Sequence, residues 1–194
     1  MEKTVALKDG TEVTIRDMVP DDVQRSFDFF AELPKEDRKY LRVDVTRWEF
    51  VERRINELDP ARVRRLVVIH DDKIVADGAL ELEGHGWGNN IAEIRMIIAK
   101  PFQRRGLGLL LARELYFIAA EVKADRIVVR MMRPQVGAQK IMKRLGFHDE
   151  FLIPEHVRDQ DGTWQDMIIM RCNLEDLWKE IEGVFEGSDI RWHR

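Results

Sequence analysis

The run Gln103-Arg104-Arg105-Gly106-Leu107-Gly108 joins an apolar, strand-like stretch, Ile94 to Ala99, to a helix-like one, Leu109 to Val122. A strand, a basic turn with glycines and a helix start together make an anion site. Glycines let the backbone approach a ligand closely. The first amides of a helix lack internal partners, and the helix dipole favours negative charge there. Pyrophosphate is the natural guest, which points to a nucleotide-like co-substrate.

Two common nucleotide sites do not fit. No Gly-Lys-Ser/Thr follows at the spacing of a phosphate-binding P-loop. A dinucleotide fingerprint needs a third glycine where Leu111 stands, and it belongs to an opening βαβ unit, whereas this turn follows three or more strands. A plain strand-to-helix loop with glycines for geometry is the remaining alternative. Arg104 and Arg105 weigh against it, because they place charge where the backbone places donors.

The elements that must hold this turn follow from periodicity. Val13–Ile15 reads as a strand. Pro20-Asp21-Asp22 starts a helix with Val23, Phe27 and Phe30 at helical spacing, and Pro34 ends it. Thr46 and Glu49 have capping-box spacing before Phe50, Val51, Ile55 and Leu58. Leu66–Ile69 and Lys73–Leu82 read as a strand pair about Asp71-Asp72. Ile74, Ala76, Gly78, Leu80 and Leu82 are expected on one face of the return strand. After a loop at Gly84–Asn90, Ile91–Ile98 forms a strand with Ala92, Ile94, Met96 and Ile98 on one face and Ile91, Glu93, Arg95 and Ile97 on the other. Leu111, Leu115, Ile118 and Val122 make a helical stripe, and Ile127–Val129 a strand. Val136–Leu145 is a helix with Ala138, Ile141, Met142 and Leu145 inward, and Gly146 caps it. Two last strands, Phe151–Ile153 and Met167–Met170, flank Asp161-Gly162. Asn173 caps a final amphipathic helix carrying Leu174, Leu177, Trp178, Ile181 and Val184. The fold class is therefore α/β (α+β): a mixed central sheet with helices on its faces, plus a C-terminal helix.

The bulk properties narrow the partners. The 194 residues suit one domain, expected as 1–172 with an extension at 173–194. Acidic residues number 36 and basic residues 32, so the net charge of −4 lacks the basic footprint of a nucleic-acid binder. Cys172 is the single cysteine, which leaves no disulfide framework and no cysteine-based metal site; His70, His148, His156 and His193 lack metal-ligand spacing. No apolar run reaches the ~18 residues of a membrane span, and the start lacks a secretory pattern, so no membrane partner and a cytoplasmic location are expected.

With these elements in place, Gln103–Gly108 resembles the Gln/Arg-x-x-Gly-x-Gly/Ala acyl-CoA loop of the GNAT superfamily of N-acetyltransferases. Met96-Ile97-Ile98 resembles that family's strand just upstream. Gln135, Ala138 and Leu145-Gly146-Phe147 resemble its Asn-x-x-Ala…Leu-Gly-Phe helix end, and the likeness runs from about Thr11 to Arg171. The resemblance implies a GNAT fold in which the family's fourth and fifth strands splay apart around the pantetheine arm. It implies that the backbone of Met96, Ile97 and Ile98 binds pantetheine and that Gln135 lies near the arm. Gln103, Arg104, Arg105, Gly106, Leu107, Gly108 and Leu109 would form the pyrophosphate loop. Acetyl-CoA, or another short acyl-CoA, is then the co-substrate, with no metal.

Acyl transfer from a thioester requires that an amine lose a proton, that an oxyanion be stabilised and that a thiolate leave. A lysine amine has a reference pKa of about 10.4, so a general base is useful. Ala92-Glu93-Ile94 resembles the Ala-Glu-Ile/Val stretch whose glutamate is the base in the family's protein lysine acetyltransferases, the bacterial Pat type among them. Arg95, on the same face, would favour the ionised carboxylate and oppose that role. Many members place a tyrosine, as acid for the thiol, where this chain has Met142; Pat-type enzymes often lack it, and a thiolate can leave without full protonation. Acetyltransferases of ribosomal-protein N-termini carry a glutamate where this chain has Arg130. Leu33-Pro34 through Tyr40-Leu41-Arg42 resembles the Pat-type loop between the first two helices. Tyr40 and Tyr116 are expected to be structural, and Asp77, Glu81 and His85 are expected at the surface.

The reading is an acyl-CoA-dependent N-acyltransferase acting by direct attack, with a protein lysine as the acceptor. A small-amine acetyltransferase and a non-catalytic acyl-CoA sensor are the alternatives. The C-terminal helix, with Trp192 beyond it, is expected to pack on its own domain or against a second copy in a homodimer.

Overall fold

A computed structural model describes residues 1–84, 86–88 and 90–186. The expectations for His85, the side chain of Val184, Trp192 and His193 lie outside the described residues. The strands are β1 (Glu2–Ala6), β2 (Glu12–Asp17), β3 (Val63–His70), β4 (Lys73–Leu82), β5 (Ile91–Ile98), β6 (Arg126–Met132), β7 (His148–Arg158) and β8 (Trp164–Asn173). The helices are α1 (Val23–Glu32), α2 (Lys35–Arg38), α3 (Trp48–Asn56), α4 (Leu107–Glu121), α5 (Val136–Arg144) and α6 (Leu174–Glu186). The strands form one sheet in the order β1-β2-β3-β4-β5-β6-β8-β7, antiparallel everywhere except between β5 and β6. The expected mixed sheet flanked by helices is present. It gains β1 at the front, so the family's fourth and fifth strands are β5 and β6 here.

The sheet has two unlike faces. One carries the main core: Leu66, Val68, Leu80, Ala92 and Ile94 meet Leu107, Leu111 and Leu115 of α4, and Leu177 and Ile181 of α6 close it from outside. The other carries a smaller cluster, in which Val67 and Ile74 of the sheet meet Phe29, Phe30 and Leu33 from α1 and its end. Glu93 and Arg95 lie on this second face, as period-two alternation from Ala92 and Ile94 requires.

Four local expectations are corrected. Ile74 does not share a face with Ala76. The β3–β4 register slips, Val68 pairing with Ala76 and Ile69 with Ile74, so Val75 is an extra residue that turns Ile74 to the other side. Ile141 is 50% exposed; Ala138, Met142 and Leu145 define the inward stripe of α5, and Ile141 lies about 100° around the helix from Met142. Thr46 does not cap α3, which starts at Trp48 after Arg47; its hydroxyl donates to Asp44 instead. Asn173 directly precedes α6, but its side-chain oxygen accepts from Arg126 at 2.7 Å. Gly146 does end α5, with a φ of +78° and the bond pair Gly146 N–H to Lys143 O and Phe147 N–H to Met142 O.

Candidate active site

The glycine turn Gln103–Gly108 is a bent loop held from two sides. Gly106 takes φ +89° as the residue before α4, a left-handed conformation that glycine adopts without a Cβ clash. Arg104 also has positive φ, +61°, which costs an L-residue roughly 1–2 kcal/mol and marks the loop as held by its surroundings. The first-turn amides of Leu107 and Gly108 have no preceding helical carbonyl. Leu109 differs from the expectation: its N–H already donates to Gly106 O at 3.1 Å, so the row of available amides stops at Gly108. A Cβ on Gly108 would lie 3.2 Å from Ile98 Cδ1, which fixes how closely α4 starts beside β5.

The loop's side chains divide their work. Gln103 donates to Ile98 O at 2.9 Å, clasping the turn to the end of β5. Arg105 is paired with Asp9 at 2.9 Å and lies over the Phe102 ring, while Lys8 N–H donates to Arg105 O. Its guanidinium therefore braces the loop against the β1–β2 turn. Arg104 is exposed and forms no ion pair among the described residues, so it is the side chain left to meet an anion.

The sheet opens where a thioester arm would need room. The parallel ladder between β5 and β6 consists of Ile91–Arg126, Ala92–Ile127 and Glu93–Val128, and it stops there. β5 continues to Ile98 and β6 to Met132, and there their ladders run to β4 and β8 respectively rather than to each other. Met96, Ile97 and Ile98 thus line one edge of a V. Gln135 sits at the far end of β6, where its side-chain oxygen accepts from Met132 N–H at 2.8 Å. Glu93 stands at the apex.

Glu93 is 4% exposed and both its oxygens are engaged. Arg130 donates to Oε2 at 2.8 Å and Arg42 donates to Oε1. Arg95, the neighbour expected to weaken it as a base, gives its main bond to Glu81 and keeps only Nε 3.8 Å from Glu93 Oε1. Glu81 lies directly across the ladder from Glu93, so two carboxylates oppose each other and need cations between them. Arg130 also bonds Glu83, and burial, which opposes its charge, is outweighed by Glu83 and Glu93, leaving its pKa raised. Burial, and then the guanidiniums of Arg42, Arg65, Arg130 and Arg54, bring Arg95 down to about 9, still charged at neutral pH.

The chain of charges continues inward. Asp77, expected at the surface, is 5% exposed, with Arg54 at 2.5 Å and Arg65 at 2.9 Å. Burial opposes its charge, but the two guanidiniums win and lower its pKa. Its strand is central, α1 packs on this face and Arg54 reaches in from α3, so burial is tolerated only because the arginines come with it. Beside the apex a cleft of about 440 Å³ is lined by Glu81, Leu82, Glu83, Glu93 and Arg130. Gln160 of the β7–β8 turn donates to Lys39 O at 2.9 Å and to Leu41 O at 2.8 Å, pinning the α2–α3 linker that carries Arg42.

The other candidates fall away from the chemistry. Met142 is 8% exposed in the core. Tyr116 stacks on Trp178, its ring centroid 4.8 Å away, and Tyr40 lies under the Lys39 ammonium. Cys172 is buried; burial, then Asp176, push its thiol up to about 12. Among the described residues no three His, Cys, Asp or Glu side chains gather to hold a metal ion, and no helix is long and apolar enough to cross a membrane. The contacts of Arg42 and Arg130 with Glu93 had no local sequence signal, since the partners lie 51 and 37 residues apart.

The comparisons with known proteins agree on the fold. The GNAT domain of PAT from S. lividans superposes with a TM-score of 0.72 at 17% identity, covering 89% of this chain and 96% of that one. RimJ of Mycobacterium smegmatis in complex with CoA-disulfide gives 0.76 at 16% identity, covering 99% and 96%. A ribosomal-protein-S5-alanine acetyltransferase from Vibrio fischeri gives 0.73 at 14%, covering 85% and 94%. At these identities the likeness speaks for the fold alone. No curated protein matches the chain in sequence. Residues 25–147, well over half of the chain and including the opened strands, the glycine turn and the Leu-Gly-Phe helix end, match the acetyltransferase (GNAT) family. The chain therefore belongs to the GNAT family of acetyltransferases, which use acetyl-CoA to acetylate amines.

Proposed function

We propose that this protein transfers an acetyl or short acyl group from CoA to a protein lysine ε-amine by direct attack, with Glu93 as the general base. The observation that carries the proposal is the end of the β5–β6 ladder at Glu93–Val128, which puts the buried carboxylate at the apex of a gap whose wide end meets the glycine loop. In this reading the edge of Met96–Ile98 and the side chain of Gln135 hold the pantetheine arm. The amides before Leu109, with Arg104, hold the pyrophosphate. The amine nitrogen forms a bond to the thioester carbon as the carbon–sulfur bond breaks, and the sulfur leaves with the electron pair. The nitrogen's proton goes to Glu93, directly or through water, once a donor on one carboxylate oxygen has been exchanged. Cys172, buried with a raised pKa, gives no alternative nucleophile. The lysine acceptor rests on the Pat-like segment Leu33–Arg42.

A second reading is favoured by one observation. Both Glu93 oxygens are held by guanidinium donors, as they would be in a non-catalytic acyl-CoA module. Time-resolved thioester consumption against lysine peptides and small amines separates the two. Consumption with an acceptor present is expected and rejects the sensor. Glu93→Gln should lower kcat by about 10²–10³ and leave CoA affinity unchanged; near-wild-type turnover at saturating acceptor removes Glu93 as the base.

A further inference from the structure

We propose that Arg42 reads a carboxylate on the acceptor, so that the preferred substrates are primary amines with a carboxylate a few ångströms from the reacting nitrogen. This rests on the acyl-transfer reading above. An acceptor nitrogen that gives its proton to Glu93 must reach one of its two oxygens. Oε2 belongs to Arg130, which rises from β6 and is anchored a second time by Glu83. Oε1 belongs to Arg42, with Arg95 nearby but committed to Glu81. Arg42 is the exchangeable partner. Its side chain is 44% exposed, against 29% for Arg130 and 35% for Arg95, and it forms no other ion pair among the described residues.

Displacing Arg42 leaves a guanidinium at the cleft that needs an anion, and the surrounding network has none to spare. Arg42, Arg54, Arg65, Arg95 and Arg130 face Asp77, Glu81, Glu83 and Glu93, and each of these carboxylates already accepts from at least one guanidinium. The arginines exceed the acids by one. An acceptor that brings its own carboxylate completes the exchange: its nitrogen takes the place of Arg42 at Glu93, and its carboxylate takes the place of Glu93 at Arg42. Guanidinium matches carboxylate in planar, charge-assisted pairs, so the second contact is specific. The backbone beside Arg42 is already held, because Gln160 donates to the carbonyls of Lys39 and Leu41. Little ordering is then left for the substrate to supply.

Matched acceptor pairs test the inference. One arm sets lysine peptides with Asp or Glu beside the lysine against the same peptides with Asn or Gln. The other sets free amino acids against their amides. In the wild-type protein, kcat/KM for the acidic member of at least one arm should exceed that of its neutral partner by about tenfold or more, and the arm that responds identifies the source of the carboxylate. Arg42→Ala should bring that ratio near one, chiefly through KM for the acidic member. Arg42→Lys should keep part of it, and Arg42→Glu should invert it. Equal wild-type rates within both arms, or a ratio that survives Arg42→Ala, overturns the inference. So does a uniform fall in KM for every acceptor in Arg42→Ala, which makes Arg42 only a plug. Those outcomes leave the acyl-transfer reading standing, whereas a failure of every acceptor to stimulate thioester consumption removes both.

Discussion

At the scale of single residues, the glycine turn and the buried acids make opposite demands. Gly106 is needed for what it lacks: with φ +89° at the start of α4, a side chain there is strained, beside the amides proposed to meet pyrophosphate. Gly106→Glu is expected to abolish CoA binding in calorimetry, and binding at wild-type affinity would remove the loop from the site. Asp77 is needed for what it carries. Buried between Arg54 and Arg65, it keeps two guanidiniums compensated. Asp77→Asn should cost about 3 kcal/mol of unfolding free energy in urea titrations, because it leaves cations without their counter-charge. A loss under about 1 kcal/mol would mean that water reaches those arginines. The turn was legible as residue types in a row. Asp77 was not, because a lone Asp in a strand reads as a surface residue until its arginines, 23 and 12 residues away, are seen.

At the scale of elements, the long periodic segments were readable and the irregular joints were not. α4 and the alternation along β5 follow from apolar spacing, and that alternation alone puts Glu93 on the face away from α4. β1 went unread: its burial alternates only between exposed and half-buried, so its apolar signal is weak, and it is fixed by pairing with β2. It nevertheless matters, since the turn after it braces Arg105. The slip at Val75 was unreadable for another reason: a bulge is decided by the partner strand's register. α6 was read as a helix whose apolar face could serve its own domain or a second copy. In the structure Leu177 and Ile181 are fully buried in the main core. Leu177→Ala should therefore cost about 2–5 kcal/mol in chemical denaturation of the isolated chain, independent of protein concentration. A cost that appears only at concentrations favouring dimers would place that face between copies.

At the scale of the whole molecule, the network of arginines and carboxylates couples the site to stability. Burial opposes charge on Asp17, Asp22 and Asp77, but cationic partners prevail: the N-terminus and Arg64 for Asp17, Arg16 for Asp22, and Arg54 and Arg65 for Asp77. All three pKa values are lowered on folding. Groups of this sign contribute stability above their unfolded value, about 3.9, and lose it as pH falls through the folded values. The urea midpoint should therefore fall steadily on acidification below about pH 4, and a midpoint that holds or rises there would show the pairs to be uncompensated by the fold. The sequence by itself determined the mixed α/β class, the strand–turn–helix at Gln103–Gly108, and the likeness to acyl-CoA-dependent acetyltransferases. These are local in the chain and follow from periodicity, turn chemistry and helix termini. Only the tertiary structure decided that β5 and β6 part at Glu93, that Arg42 and Arg130 grip that carboxylate, and that Asp77 is buried. Such contacts join segments tens of residues apart, and low dielectric makes a charge select its partner only once the sheet and helices have closed around it.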